Sequence, residues 1–74
     1  MKVRYNKEVL KKLGKKIKHL RKTEKISQDQ LAFESGVPKR QISRIEKGVI
    51  NTSVGNLVAI CESLNISLKE LFDF

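Results

Sequence analysis

Leu10, Leu13, Ile17 and Leu20 recur at spacings of three and four, which puts them on one face of an α-helix. Lys11, Lys12, Lys15, Lys16, Lys18 and Lys22 fill the other faces, so the pattern predicts a first amphipathic helix over residues 7–24. Ser27-Gln28-Asp29-Gln30 has the form of a capping box. In that motif the Ser27 hydroxyl accepts from the Gln30 backbone N–H while the Gln30 side chain reaches back. A short second helix over 28–35 follows, stopped by Gly36 in the left-handed conformation that suits a residue without Cβ. Val37 and Pro38 form the turn, with Pro38 at or just before the first turn of the next helix, where its missing N–H costs nothing.

The third helix is expected over 39–47, with Ile42 and Ile45 inward and Gly48 as its stop. Residues 49–52 read as a loop. Thr52 or Ser53 caps a fourth helix whose buried stripe is Leu57, Ile60, Cys61 and Leu64, and Asn65 supplies a left-handed cap. Ser67-Leu68-Lys69-Glu70 is a second capping box, opening a short fifth helix that ends near Phe72. The expected fold is all-α, a compact five-helix bundle around one core, with a helix-turn-helix at the second and third helices. No strand pattern, repeat or low-complexity linker is present.

Length narrows the function. A chain of 74 residues is one domain, here divided into an extension over 1–6 and a helical domain over 7–74. A chain this short buries only about 60% of its unfolded surface, too little to support a deep catalytic cleft. The single Cys61 forms no internal disulfide, and with one His (His19) it makes no metal site. Neither these nor the acids Asp29, Glu34, Glu62 and Glu70 are spaced to assemble a nucleophile with a base. No enzyme activity, cofactor, metal or small-molecule ligand is therefore expected. No apolar run approaches the ~18 residues of a membrane span, and no signal peptide is legible, so a cytoplasmic protein is expected.

Charge is distributed unevenly. Residues 1–25 hold eleven Lys and Arg against Glu8 and Glu24, whereas residues 26–74 carry five basic and six acidic residues. A basic half fits a polyanionic partner, nucleic acid or an anionic membrane surface; it equally fits a lysine-rich face that keeps the domain soluble. The third helix discriminates better. Two short helices joined by a tight Gly-containing turn form a helix-turn-helix, and the outward positions of the second of them are Lys39, Arg40, Gln41, Ser43 and Arg44. Arg40 and Arg44, four apart, share a face. An Arg matches the O6 and N7 acceptors of guanine in the major groove, Gln41 suits adenine, and Ser43 suits either base. The alternative is a solvated face, but Lys39 and Arg40 stand at the helix N-terminus. There each opposes the helix dipole by about 0.3–1 kcal/mol unless something negative faces it. A DNA phosphate would remove that cost.

Four segments carry a family resemblance: Ser27-Gln28-x-x-Leu31-Ala32, Gly36-Val37, Ile42-Ser43-x-Ile45-Glu46-x-Gly48, and Leu64-Asn65-Ile66-Ser67-Leu68-x-Glu70-Leu71-Phe72. In their order and spacing the chain resembles, over residues 10–73, the helix-turn-helix domain of the Cro and phage-repressor (XRE) family. The resemblance implies a sequence-specific regulator that binds double-stranded DNA as a homodimer on a palindromic operator, with the helix over 39–47 in the major groove. By position, Lys39, Arg40, Ser43 and Arg44 match the family's base-contacting residues. Ser27, Gln28, Lys47, Asn51 and Thr52 match its phosphate-contacting ones, with Gln28 also bracing the recognition helix. Arg21 and Glu46 match a pair that ties the first helix to the end of the third. Ile66, Leu68, Phe72 and Phe74 are the candidate dimer surface.

The chain departs from the family pattern in places. Phe33 stands where a polar side chain is usual, and is expected to pack under the N-terminal extension, against a partner, or in the core. Gly55 weakens the first turn of the fourth helix by about 1 kcal/mol relative to Ala. Val49 and Ile50 replace polar or basic loop residues. Lys2 and Arg4 could reach phosphates or a minor groove as a basic arm, the alternative being a frayed terminus. Stand-alone domains of this length also resemble restriction–modification controllers and antitoxins, and a protein-interaction module that has lost DNA binding is a further alternative. That last reading predicts a third helix stripped of basic residues, which this one is not.

Overall fold

The computed structural model describes residues 7–74, so Lys2, Arg4 and the rest of the extension lie outside the described residues. Five helices follow one another: α1 (Lys7–Thr23), α2 (Gln28–Ser35), α3 (Lys39–Lys47), α4 (Val54–Leu64) and α5 (Leu68–Leu71). No strand occurs among the described residues. Leu13 and Ile17 of α1, Leu31 of α2, Ile42 and Ile45 of α3, Leu57, Ile60, Cys61 and Leu64 of α4, and Leu71 of α5 form one buried core.

The helix stops are local chemistry. Gly36 and Gly48 adopt φ of 77° and 73°, and Asn65 adopts 59°, each ending its helix in the left-handed region. Lys25 does the same for α1 at φ 58°, without the freedom of a glycine. The stop comes at Thr23, one residue short of the expected end, and the backbone turns so that Ile26 N–H donates to the Arg21 carbonyl at 3.0 Å. Ser53, not Thr52, caps α4, accepting from Asn56 N–H at 3.0 Å. Both halves of the Ser67–Glu70 capping box form. Only half of the first one does. Ser27 Oγ accepts from Gln30 N–H, but the Gln30 amide turns along the helix to donate to Glu34 Oε2 at 3.0 Å.

One feature of α1 fixes the position of α3. Gly14 lies on the apolar stripe of α1, and a Cβ there would sit 2.6 Å from the Glu46 carbonyl oxygen and closer still to that of Ile45. Two helices approach this closely only where a side chain is missing. At the other end of the contact a Cβ on Gly48 would stand 2.8 Å from the Lys11 Cα. The C-terminal half of α3 is thus seated backbone to backbone against α1.

Candidate nucleic-acid interface

The inner face of α3 is locked by a polar group as well as by Ile42 and Ile45. Glu46 is 8% exposed and Arg21 of α1 is likewise 8% exposed. Arg21 Nε donates to Glu46 Oε2 at 2.7 Å and Nη2 to Oε1 at 3.0 Å, a two-pronged pair. Arg21 Nη1 donates to the Ile26 carbonyl at 2.8 Å, and Gln28 Nε2 of α2 donates to Glu46 Oε1 at 3.0 Å. The hydrogen bond to Glu46 raises the Arg21 pKa, burial opposes that, and the carboxylate charge adds to the rise. The charge of Glu46 is spent inside the protein. α1, α2 and α3 meet at this one carboxylate, which fixes the tilt of α3.

Outward, the same helix presents Lys39, Arg40, Gln41, Arg44 and Lys47 exposed, with Ser43 half-buried. Among the described residues no ion pair engages Arg40, Arg44 or Lys47. Lys39 differs from the sequence expectation, since Asp29 Oδ1 of α2 lies 3.2 Å from its Nζ. A negative group therefore faces Lys39 within the protein, and the dipole argument for an external phosphate holds for Arg40 only. Both partners are largely exposed, so the pair is weak and leaves Lys39 able to exchange it for another anion.

Arg40, Gln41 and Arg44 form one wall of an open hollow whose other wall is Ile50, Asn51, Thr52, Ser53 and Asn56. The structure thereby brings Arg40, Gln41, Arg44, Asn51 and Thr52 together, with Ser27, Gln28 and Lys39 on the α2 side of α3 and Lys47 at its end. Asn56 of α4 is the residue that sequence reasoning missed. Its Nδ2 donates to Gln41 Oε1 at 2.9 Å and to Thr52 Oγ1 at 3.2 Å, tying the reading helix to the loop and to α4. An Asn in a first turn reads as ordinary polar surface, and no periodicity marks it. Gly14 was also missed, although its place on the stripe of Leu10, Leu13 and Ile17 was a usable signal.

The candidate dimer residues divide. Ile66 and Leu68 are half-buried against the core. Phe72 and Phe74 are exposed, their ring centroids 6.1 Å apart, and Lys16 Nζ donates to the neighbouring Asp73 carbonyl at 3.0 Å. Phe33 is 88% exposed, so it does not pack in the core. Val49 is exposed and Ile50 half-buried in the loop.

Residues 17–71, which include all of α2, α3 and α4, match the model of the helix-turn-helix family HTH_3. The chain belongs to this XRE-type helix-turn-helix family. The family is of the DNA-binding transcriptional-regulator type and is not an enzyme family. This family member is 45% identical over 62 residues to the HTH-type transcriptional regulator SlrR of Bacillus subtilis (strain 168), across 82% of this chain but 41% of SlrR. It is 37% identical over 62 residues to the control protein C.BamHI of Bacillus amyloliquefaciens, across 82% of this chain and 76% of that one. Its fold matches, with a TM-score of 0.80 and 29% identity, the restriction-modification controller protein C.Esp1396I, solved as a tetramer in complex with its natural 35 base-pair operator. That match covers 88% of this chain and 86% of the controller. No helix among the described residues is long and apolar enough to cross a membrane.

Proposed function

We infer that this family member is a sequence-specific double-stranded DNA-binding transcriptional regulator that lays α3 in the major groove and acts as a homodimer on a palindromic operator. One observation carries the reading. Arg40 and Arg44 project from the outward face of a helix whose inner face is fixed by the Arg21–Glu46–Gln28 group, with no acidic partner of their own among the described residues. Rigid mounting with free cations outside is the arrangement that base reading requires. The operator complex of C.Esp1396I and the regulator relatives support it.

In this reading Lys39, Arg40, Gln41, Ser43 and Arg44 face base edges, while Ser27, Gln28, Lys47, Asn51 and Thr52 face phosphates. Arg21 and Glu46 are structural. Residues 7–74 form the DNA-binding domain. The hydroxyl of Ser27 already accepts from Gln30 N–H and keeps its proton to donate outward. The protein performs no catalysis, needs no cofactor, and works in the cytoplasm bound to DNA.

Selection of bound duplexes from a random pool tests this. A twofold-symmetric site with half-sites about 34 Å apart is expected. Arg44→Ala should lose about 1–3 kcal/mol on that site and relax the preference at one base pair. Recovery of no consensus, or an Arg44→Ala variant weakened equally on every sequence, overturns the base-reading role.

A further inference from the structure

We propose that Asn56, on α4 and outside the recognition helix, is a specificity-positioning residue that makes Gln41 select guanine rather than adenine. The inference rests on the reading of α3 as the base-reading helix.

Gln41 lies on the flank of α3 that faces the start of α4, between Arg40 and Arg44 along the wall of the hollow. Its amide oxygen accepts from Asn56 Nδ2 at 2.9 Å, which occupies one of its two lone pairs and turns the oxygen toward α4. The same Nδ2 donates to Thr52 Oγ1 at 3.2 Å, so Asn56 is held from two sides, by α3 and by the loop before α4. Its backbone N–H is fixed in turn by the Ser53 cap at 3.0 Å. A glutamine held by its oxygen keeps its Nε2–H2 group turned the other way, and no hydrogen bond engages that group among the described residues. Adenine recognition needs both halves of the amide, the oxygen for N6–H2 and the nitrogen for N7. Guanine presents two acceptors, O6 and N7, and suits a group that only donates. The free glutamine amide has no such bias. Asn56 therefore fixes what Gln41 reads without meeting a base itself.

The test is selection from a random duplex pool with the full chain as wild type, Gln41→Ala, Asn56→Ala and Arg44→Ala, with melting temperature as a control for folding. Loss of preference in Gln41→Ala identifies the base pair that Gln41 reads. At that pair the wild type should enrich G·C, and Asn56→Ala should shift enrichment toward A·T by roughly fivefold or more, the scale of one base-edge contact. Preferences at the pairs read by other residues should stay as they are, which a merely structural role for Asn56 would not produce. The proposal is overturned by A·T at that pair in the wild type, by an Asn56→Ala consensus identical to the wild type, or by uniform weakening on all sequences. If Gln41→Ala changes no base pair while Arg44→Ala does, the proposal fails and the reading of α3 survives. If neither variant changes a base pair, both fail together.

Discussion

Glu46 accepts three hydrogen bonds, two from Arg21 and one from Gln28, and its side chain is almost wholly withdrawn from water. Removing one partner of a buried ion pair leaves the other charge uncompensated, which costs about 3–5 kcal/mol. Glu46→Ala is expected to lower stability by that amount, read as a lower urea midpoint with an unchanged slope; an unaltered midpoint would mean that the pair contributes nothing. Arg21 adds no pH dependence in the working range. Its pKa is raised by the Glu46 hydrogen bond, so its contribution is present throughout and below the ordinary arginine range and lost only above it. Cys61 behaves differently. Burial, with the Glu70 charge adding to it, raises its thiol above the ordinary 9.0, so the folded chain favours the neutral form. The stability from that thiol is complete below pH 9.0 and falls as the pH rises through the folded-state pKa. Cys61→Ala should remove that part of the alkaline decline when melting is followed from pH 7 upward. The residues of the site were legible to different degrees. Arg40 and Arg44 were visible in the helical spacing, but the Asp29 partner of Lys39 was not, because it stands on another helix and only the turn through Gly36 and Pro38 brings the two together.

Among the elements, α1 and α3 form the contact that sets the site. Gly14 permits it, since any Cβ would run into the carbonyl oxygens of Ile45 and Glu46, backbone atoms that cannot step aside. Gly14→Ala is good helix chemistry in isolation, gaining about 1 kcal/mol in propensity. Here the clash should outweigh it, giving a net loss of stability on the scale of overpacking, about 1–3 kcal/mol. A rise in melting temperature would show that the helices can separate freely. Helix positions were readable because each stop is local: Gly36, Gly48 and Asn65 announce left-handed caps, and Ser27, Ser53 and Ser67 announce N-caps. What failed were choices between two nearby partners. The Gln30 amide had both the Ser27 backbone and the Glu34 carboxylate within reach, and the charged acceptor one turn on won. Lys25 ended α1 in a conformation the sequence does not advertise.

At the scale of the molecule, the net charge of +8 comes from residues 1–25, because residues 26–74 carry five basic and six acidic residues. Counterion release then requires affinity for DNA to fall steeply with salt. The other whole-molecule feature is the apolar surface at Phe72 and Phe74, half-exposed beside a core that already uses Ile66 and Leu68. If this surface joins two copies, Phe72→Ala with Phe74→Ala should weaken self-association in sedimentation and lower affinity for a two-half-site operator while leaving a single half-site unchanged. Equal loss on both DNAs would place the two rings outside any dimer contact. The dimer surface was the least legible part of the chain, because a residue that half-serves the core and one that waits for a partner share the same apolar pattern.

In the proposed complex α3, held by Glu46 and Gly14, meets base edges and does not merely lie against phosphates. Equilibrium titration of the full chain on its selected duplex and on a scrambled duplex of equal length, both at physiological salt, tests it directly. Binding to the selected site should be tighter by about a thousandfold or more, the ordinary margin of a specific over a non-specific site. Equally weak binding to the two duplexes would contradict it.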